Sequence, residues 1–280
     1  MPQTAESLAS FSKARSAPRL SHYLQSKFGR MKKFFGIVGG IFVLLILALG
    51  ILFFMSNEKL PEGAGGSEAE QLADKMMASV NKKAWDAIPF IKWTFKGVHD
   101  FVWDKKQHIC WVKWDANEVI VDLNAVTGVA KVDGKLVQGE QGQKLVKEAW
   151  DHFNNDSFWL NAIVKAKDPG TERTVVDLGE GKKGLKVQYT SGGTTPGDSY
   201  LWILDENYRP TAYKMWVKII PVGGMEFSWE DYVELDGGAM IATLHKSPVL
   251  TIDIGNYKAG KSLEEIGEQG DLFSALSLSK

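Results

Sequence analysis

The chain has 280 residues, with 33 Lys and Arg against 34 Asp and Glu, and it contains a single cysteine. One cysteine excludes an internal disulfide, and the apolar stretch around Cys110 predicts a buried structural thiol. The charge is uneven, because residues 1–33 hold seven Lys and Arg and one acid, whereas the remainder holds 26 Lys and Arg against 33 Asp and Glu. This acidic remainder matches nucleic-acid phosphates poorly, so we expect no nucleic-acid partner.

An uncharged apolar run begins at residue 34 and ends at residue 55. As a helix its 22 residues would be about 33 Å long, enough to cross a hydrocarbon core of roughly 30 Å. The basic flank predicts that residues 1–33 are a cytoplasmic tail, or in part an extension before a start at Met31, and that the rest lies outside. We expect an uncleaved single-pass signal anchor in the inner (cytoplasmic) membrane, with a periplasmic or extracellular domain. The alternative is a cleaved secretory signal, whose apolar core is typically about 7–15 residues.

The segment after this run predicts first a linker and then a helix. Residues 56–68 are rich in Gly, Pro and Glu, which is typical of a linker that holds a domain away from the membrane. Residues 68–88 place Leu72, Met76 and Val80 on one face at a spacing of four, as an amphipathic helix does.

The rest of the domain is predicted to be mostly short strands. Alternating apolar residues and turn signals predict five strands before the second helix, at 92–101, 108–114, 118–123, 128–132 and 136–137. The second helix is predicted over residues 141–153. Six strands follow it, at 171–178, 185–190, 200–205, 212–220, 226–235 and 240–250. This order predicts an α+β domain over residues 69–258, a large curved antiparallel sheet or incomplete β-barrel covered by helices, with a polar tail over residues 259–280.

The residue types that usually carry chemistry form no catalytic signature. The four histidines of the outer domain lack metal-ligand spacing: His99, His108, His152 and His245. His99 and His108 would face each other across a predicted hairpin, and a hydrolase built on them is the least favoured hypothesis. The glycine-rich segment 191–197 lacks the strand-then-helix setting of a phosphate loop. The sequence therefore predicts no enzyme activity, no cofactor and no metal site.

Aromatic residues are the most prominent feature of the outer domain. All ten tryptophans lie after residue 84, mostly in predicted strands. A curved sheet with large rings on its concave face can bury an apolar ligand. We expect six tryptophans to line such a cavity: Trp93, Trp103, Trp111, Trp202, Trp216 and Trp229. The alternative is that these rings form a packed core between sheet and helices.

Four strings in this layout resemble one known family. They are AEQLADKMMASV in the first helix, FVWDKKQHICWVKW in the early strands, NDSFWLNAI after the second helix, and DSYLWILDENYRP later. The chain resembles the LolA-like family, the outer-membrane lipoprotein carriers and their uncharacterised bacterial relatives, over roughly residues 68–257. The resemblance implies an incomplete β-barrel whose helices cover a cavity that accepts acyl chains. It assigns no individual binding residue, and a soluble carrier differs from this chain in lacking a retained anchor.

The anchor, the tryptophans and the resemblance together predict a membrane-anchored envelope domain that binds an apolar ligand. The expected ligand is a membrane lipid or a lipoprotein acyl chain, and the sequence identifies no protein partner. The alternative is a non-enzymatic interaction domain with a packed core, which binds protein partners and takes no ligand.

Overall fold

The computed structural model describes residues 57–191 and 196–277, together with Phe42 and Leu44. The folded part belongs to one compact unit, Ser56–Lys280, which is distinct from the unit Met1–Met55. The predicted cytoplasmic tail and the predicted membrane-spanning run lie outside the described residues, except that Phe42 and Leu44 are helical. No helix in the described part of the chain is both long enough and apolar enough to cross a bilayer.

Two helices occupy the segment predicted as one. α1 (Ser67–Ser79) buries its apolar stripe, and α2 (Lys82–Ala87) follows after a short break. Between them Asn81 adopts a left-handed φ of 54°, and its side-chain oxygen accepts a hydrogen bond from the Ala84 N–H at 3.3 Å. Asparagine tolerates this conformation and caps helices well, so the chain ends one helix and begins another at this point.

The first six strands form an antiparallel meander. They are β1 (Phe90–Phe95), β2 (His99–Asp104), β3 (Ile109–Trp114), β4 (Asn117–Asp122), β5 (Thr127–Val132) and β6 (Lys135–Val137). The single strand predicted over residues 92–101 is instead the hairpin of β1 and β2. Lys96 and Gly97 have φ angles of 50° and 66°, which the tight turns of β-hairpins require.

The long helix α3 (Gly139–Asn161) follows β6 and ends in a 3₁₀ turn, Ala162–Lys165. The sequence predicted an end near residue 153, because Asn154, Asn155 and Asp156 usually terminate helices. In the structure these polar residues are helical, and their side chains form hydrogen bonds, either within the helix or, for Asp156, with His99 on β2. Asn154 Nδ2 donates to the Trp150 carbonyl at 2.9 Å, and Asn155 Nδ2 donates to Asp156 Oδ1 at 2.8 Å.

Eight further strands complete the fold. They are β7 (Thr171–Gly179), β8 (Lys182–Tyr189), β9 (Ser199–Leu204), β10 (Pro210–Trp216), β11 (Met225–Ser228), β12 (Glu230–Glu234), β13 (Met240–Lys246) and β14 (Thr251–Gly260). The strand predicted over residues 240–250 ends at Lys246 instead. A tight turn follows, closed by the Ser247 N–H donating to the Leu250 carbonyl at 2.8 Å. β14 lies beyond this turn, in a segment for which no strand was predicted.

The strands form two antiparallel sheets. The nine-stranded sheet has the order β12-β13-β14-β1-β2-β3-β4-β5-β6, and the five-stranded sheet has the order β11-β10-β9-β8-β7. The chain passes from one sheet to the other at Trp229, between β11 and β12, where the Trp229 N–H donates to the Thr211 carbonyl at 2.7 Å. The prediction of an antiparallel α+β fold is confirmed, and the two sheets do not close into a barrel.

The C-terminal segment packs on the outer face of the nine-stranded sheet, opposite α3. Leu263 and Ile266 contact Val102, and Leu276 contacts Ile109 and Ile120. A single helical turn, α4 (Ser274–Ser277), ends this segment. Residues 259–280 were predicted to be a polar tail. The structure differs because a few apolar side chains spaced along this segment cover apolar positions on the outer face of β2, β3 and β4.

The segment predicted to be a linker also lies against the domain. The Glu58 N–H donates to the Gly223 carbonyl at 2.9 Å, and Lys186 Nζ donates to the Pro61 carbonyl at 2.6 Å. Ala64 forms an antiparallel bridge with Val175 on β7. The described residues from 57 onward are therefore hydrogen-bonded to the five-stranded sheet, and they are not a free spacer.

The C-terminal segment supplies a stability prediction. Ile266 is fully buried against the outer face, so Ile266→Ala should lower the free energy of unfolding by about 2–4 kcal/mol through lost burial and a residual cavity. Urea denaturation measures this change. Leu136→Ala, at an exposed position on β6, is the control and should cost less than about 0.5 kcal/mol. Equal effects of the two substitutions would show that the segment does not pack as described.

Candidate functional site

Four of the six predicted tryptophans lie on the inner face, the side of the sheets that packs against α3. Trp93 and Trp103 come from β1 and β2, Trp202 comes from β9, and Trp229 lies at the junction of β11 and β12. All four are buried. Side chains alternate between the two faces of a strand, and residues that pair directly across two antiparallel strands share a face. Trp93 therefore lies on the same face as Trp103 if Trp103 pairs with a residue an even number of positions from Trp93. The observed pairing of Ile91 with Trp103 provides that register.

The other two predicted tryptophans lie elsewhere. Trp111 on β3 faces outward and packs against the cluster that Val102 forms with Leu263 and Ile266 of the C-terminal segment. It lines two outer-face pockets of about 410 Å³ and about 240 Å³. Trp216 is at the end of β10, where its indole Nε1 donates to the Glu58 carbonyl at 2.8 Å. The structure therefore does not bring all six rings to one surface.

The four inner tryptophans form two aromatic clusters, and α3 contacts both. In the first, Phe153 of α3 lies 5.1 Å from the Trp103 ring centroid and 6.2 Å from that of Trp93. In the second, Trp202 and Trp229 lie 4.9 Å apart. Trp159 of α3 reaches this second cluster through other rings, at 4.8 Å from Phe227 and 5.6 Å from Tyr213.

The helical contributors to these clusters were missed by sequence reasoning. The predicted second helix ended at Phe153, which excluded Trp159 from its apolar stripe. The spacing of Ala149, Phe153 and Leu160 continues a helical face across the polar residues 154–156. That continuation was the available signal. All three of these side chains are buried.

Several polar atoms of the inner face have no hydrogen-bond partner within the described part of the chain. They are the indole Nε1 atoms of Trp93, Trp103 and Trp229 and the hydroxyl of Tyr213. An indole N–H can only donate, so each of these three sites needs an acceptor. A buried donor without an acceptor costs about 1–3 kcal/mol. The inner face thus combines large apolar rings with unused donors.

Burial also controls the titrating groups of this face. It raises the pKa of Tyr213 well above its ordinary value, so the phenol is neutral. Burial lowers the pKa of His245 to about 4, against smaller upward effects of backbone hydrogen bonds. The His245 ring lies 4.3 Å from the Trp229 ring, and its Nδ1 lies 3.3 Å from the Ser228 carbonyl oxygen. Both residues therefore act as uncharged polar groups near neutral pH.

A second polar group joins α3 to β2. His99 Nδ1 lies 2.6 Å from Asp156 Oδ2, and the His99 and His152 rings lie 4.1 Å apart. Burial raises the pKa of Asp156, against the hydrogen bonds from His99 and Asn155, which lower it. Burial, and then the charge of His99, lowers the pKa of His152. Asp156 thus provides a polar contact between α3 and the sheet.

This arrangement corrects the expectation about His99 and His108. The two residues lie at opposite ends of the β2–β3 hairpin, because His99 begins β2 and His108 immediately precedes β3. The partner of His99 is instead Asp156, which is 57 positions away in the sequence. No spacing rule within one hairpin could have identified that contact.

The chemistry available around His99 is limited in the described residues. Within residues 57–191 and 196–277, no three His, Cys, Asp or Glu side chains have the arrangement of a metal site. Cys110 is fully buried, and burial raises the pKa of its thiol well above the ordinary value. A neutral, inaccessible thiol is a poor nucleophile. We therefore treat the inner face with α3, and not this histidine group, as the candidate site.

Comparisons with known proteins add little to this geometry. No family model matches the chain, and no curated protein matches it in sequence. Among solved structures, a DUF1329 family protein from Desulfovibrio piger matches with a TM-score of 0.40 and 11% identity, over 75% of this chain and 100% of that one. A likeness of this size carries no argument about function, and the site must be argued from its own residues.

Buried Tyr213 and partly buried Tyr232 allow a paired test of the unused donors. Tyr213→Phe removes a hydroxyl without a partner, so it should raise the free energy of unfolding by about 1 kcal/mol. Tyr232→Phe removes a hydroxyl that donates to the Pro210 carbonyl at 2.8 Å, so it should lower that free energy by about 1 kcal/mol. Urea denaturation of both variants measures the difference. A loss of stability in Tyr213→Phe as large as that in Tyr232→Phe would contradict the assignment.

His245 gives a pH prediction with a defined sign. Its pKa falls from the ordinary 6.5 to about 4 on folding, so its contribution to stability is complete above pH 6.5 and is lost as the pH falls towards 4. Between about pH 7.5 and about pH 5 the loss should be about 2 kcal/mol. His245→Gln stays neutral and should remove most of this dependence in urea titrations, leaving the smaller contributions of His108 and His152, whose pKa values burial also lowers. His108→Gln is the control and should keep most of the dependence; an unchanged slope in His245→Gln would refute the prediction.

Proposed function

We propose that this domain, held at the membrane by residues 34–55, binds the acyl chain of a lipid or lipoprotein between the inner face and α3. In this proposal the fold is an incomplete β-barrel covered by helices, as the LolA-like resemblance implies. The observation that carries the proposal is the presence of three buried indole N–H groups without acceptors on a face otherwise built of aromatic rings.

The chemistry of that face favours an amphipathic ligand. Trp93, Trp103 and Trp229 offer broad apolar surfaces, which favour contact with hydrocarbon. Their N–H groups require acceptors, and ester or amide carbonyl oxygens next to an acyl chain provide them. A pure hydrocarbon would leave the donors unpaired at about 1–3 kcal/mol each. A lipid with ester or amide linkages would satisfy both requirements.

α3 is the element that would move to admit such a ligand. It connects β6 to β7, which are the terminal strands of the two sheets. Its contacts with the inner face include the rings of Phe153 and Trp159 and the hydrogen bond between Asp156 and His99. Displacement of α3 would expose the inner face between the edge strands β6 and β7. A bound acyl chain would then replace the apolar contacts that α3 makes with that face.

The packing of the same rings favours a second candidate function. The inner tryptophans are buried, and ring pairs such as Trp93 and Phe101 stack at 4.6 Å. A core of this kind suits a domain that binds protein partners through its outer surface and holds no ligand. The two functions differ in whether the inner face ever receives a lipid.

Native mass spectrometry of the full-length protein, purified from bacteria in detergent, distinguishes the two functions. The proposal expects copurifying lipid and saturable binding of a fluorescent acyl ester. Trp103→Phe and Trp229→Phe each keep a ring but remove a donor, so each should weaken binding of that probe about fivefold to tenfold. Trp216→Phe, on the other side of the sheet, is the control and should bind as the unmodified protein does.

Two results would count against lipid binding. Absence of both copurifying lipid and probe binding would favour the interaction domain. Equal weakening by Trp103→Phe and Trp216→Phe would place the probe outside the inner face.

A further inference from the structure

Three hairpin turns carry the most exposed apolar side chains of the domain. We name them tip 1 (residues 96–98, between β1 and β2), tip 2 (residues 217–224, between β10 and β11) and tip 3 (residues 247–250, between β13 and β14). Among residues 57–191 and 196–277, the three most exposed large hydrophobic side chains are Val249 (78%), Ile219 (72%) and Val98 (58%). Each tip therefore presents one apolar side chain that is more than half exposed.

The strand pairing places tips 1 and 3 side by side. β1 ends at Phe95, which pairs with Ile254 near the start of β14. The Lys96 N–H of tip 1 donates to the Asp253 carbonyl at 2.9 Å, three residues after the end of tip 3. Both turns therefore lie at the same edge of the nine-stranded sheet.

Tip 2 projects from the same edge. The Lys246 N–H, at the end of β13, donates to Ser228 Oγ at 3.0 Å. Ser228 ends β11, and β12, the continuation of β11, pairs antiparallel with β13. β11 therefore extends past the end of β13 at which tip 3 begins. Because tip 2 immediately precedes β11, tip 2 lies on the same side of the sheet edge as tip 3.

Within residues 57–191 and 196–277, the other exposed large hydrophobic side chains are less exposed than those of the tips, and the most exposed of them is Leu136 on β6 (56%). The turns at the opposite edge, residues 105–108, 205–209 and 235–239, are dominated by charged residues, polar residues and glycine. The turns that follow β3 and β5 lie at the same edge as tip 1, towards β6, and they carry Asp115 and Asp133. Val98, Ile219 and Val249 lie on three turns at the same edge, and apolar side chains exposed together on one surface can mark a binding site. Each tip also has a lysine in it or next to it: Lys96, Lys218 and Lys246.

The chain enters the domain at tip 2. Asn57 Oδ1 accepts a hydrogen bond from the Gly223 N–H at 2.9 Å, and the Glu58 N–H donates to the Gly223 carbonyl at 2.9 Å. Trp216 Nε1 also donates to the Glu58 carbonyl. The predicted membrane-spanning run ends at Met55, two residues before Asn57. The first residues that the structure describes after that run are therefore hydrogen-bonded to tip 2.

We propose that the three tips rest on the lipid surface of the membrane that holds the anchor, with Val98, Ile219 and Val249 in the headgroup region. This proposal depends on the anchor of residues 34–55 and not on ligand binding at the inner face. Valine and isoleucine side chains gain by leaving water for the boundary between headgroups and acyl chains, and lysines beside them favour anionic lipid. In the sequence only Ser56 separates the predicted membrane-spanning run from Asn57, whose side chain is hydrogen-bonded to Gly223 of tip 2.

Site-specific fluorescence quenching in the full-length protein tests the docking. The single native cysteine, Cys110, is fully buried, so a cysteine introduced at an exposed position can be labelled selectively. Val98→Cys, Ile219→Cys and Val249→Cys would each carry an environment-sensitive dye. The proteins would be reconstituted in vesicles of phosphatidylethanolamine and phosphatidylglycerol that contain headgroup-region spin-labelled lipid. The controls are Tyr208→Cys and Leu178→Cys, which are partly exposed at the opposite edge.

The proposal expects quenching at the three tips at least about threefold stronger than at the two controls. Ile219→Asp, combined with the dye at Val249→Cys, should at least roughly halve that quenching, because a carboxylate disfavours the headgroup boundary. This substitution is at an exposed position and should leave folding intact. Quenching at the tips no stronger than at the controls would overturn the docking. Failure of the protein to associate with vesicles would overturn both the docking and the anchor, whereas loss of lipid binding at the inner face would leave the tip result unchanged.

Discussion

Burial of the inner face beneath α3 is the interaction on which the rest of this structure depends. An antiparallel sheet with tryptophans along one face exposes more apolar surface than water tolerates, and each buried aromatic side chain contributes about 1.5–3 kcal/mol when it is covered. Phe153 and Trp159 of α3 provide that cover for two clusters on different sheets. The helix therefore packs against two sheets that share no strand pairing in the described part of the chain, and it joins them in addition to the chain connection at Trp229.

The same packing explains why the polar groups of the inner face matter. Packing of apolar rings favours contact between α3 and the sheet but does little to fix the position of the helix, whereas a hydrogen bond between the two fixes that position. His99 and Asp156 make one such bond between the sheet and α3, which fixes the helix along its axis. Trp93, Trp103 and Trp229 have no acceptor for their indole N–H groups among the residues that the structure describes. One face thus contains a polar contact that is satisfied and holds the helix, together with indole donors that no described group satisfies.

The sequence predicted the class of fold well, and it failed where distant residues decide the outcome. Alternation identified β4 and β5, and helical spacing identified α1 and the first part of α3. The predicted strand over residues 92–101 was wrong because Lys96 adopts a positive φ, which few lysines do and which composition does not reveal. The end of α3 was misplaced because buried Asp156 has its partner in β2. The C-terminal segment was predicted as a tail because its apolar residues are sparse, and their partners lie more than a hundred positions earlier.

The candidate site was predicted in the same uneven way. Period-two alternation predicts that tryptophans separated by an odd number of positions in one strand face opposite sides, and Trp111 does lie on the outer face. It does not predict which face receives a helix, nor that Trp216 donates to the backbone of Glu58. The exposed tips escaped sequence reasoning altogether, since Ile219 and Val249 look like the ends of apolar strands until the turns are placed.

The pairing of β1 with β14 has a consequence for biosynthesis. Phe90 pairs with Gly260, so the two strands at the middle of the nine-stranded sheet come from opposite ends of the folded domain. As the chain leaves the ribosome, the meander β1–β6 can form early, but one side of β1 keeps its backbone groups unpaired until residue 260 has been synthesised. An open strand edge is a template for pairing with other chains. The nascent domain therefore spends most of its synthesis with an exposed edge next to Trp93, and its yield should depend on how fast the last strand arrives.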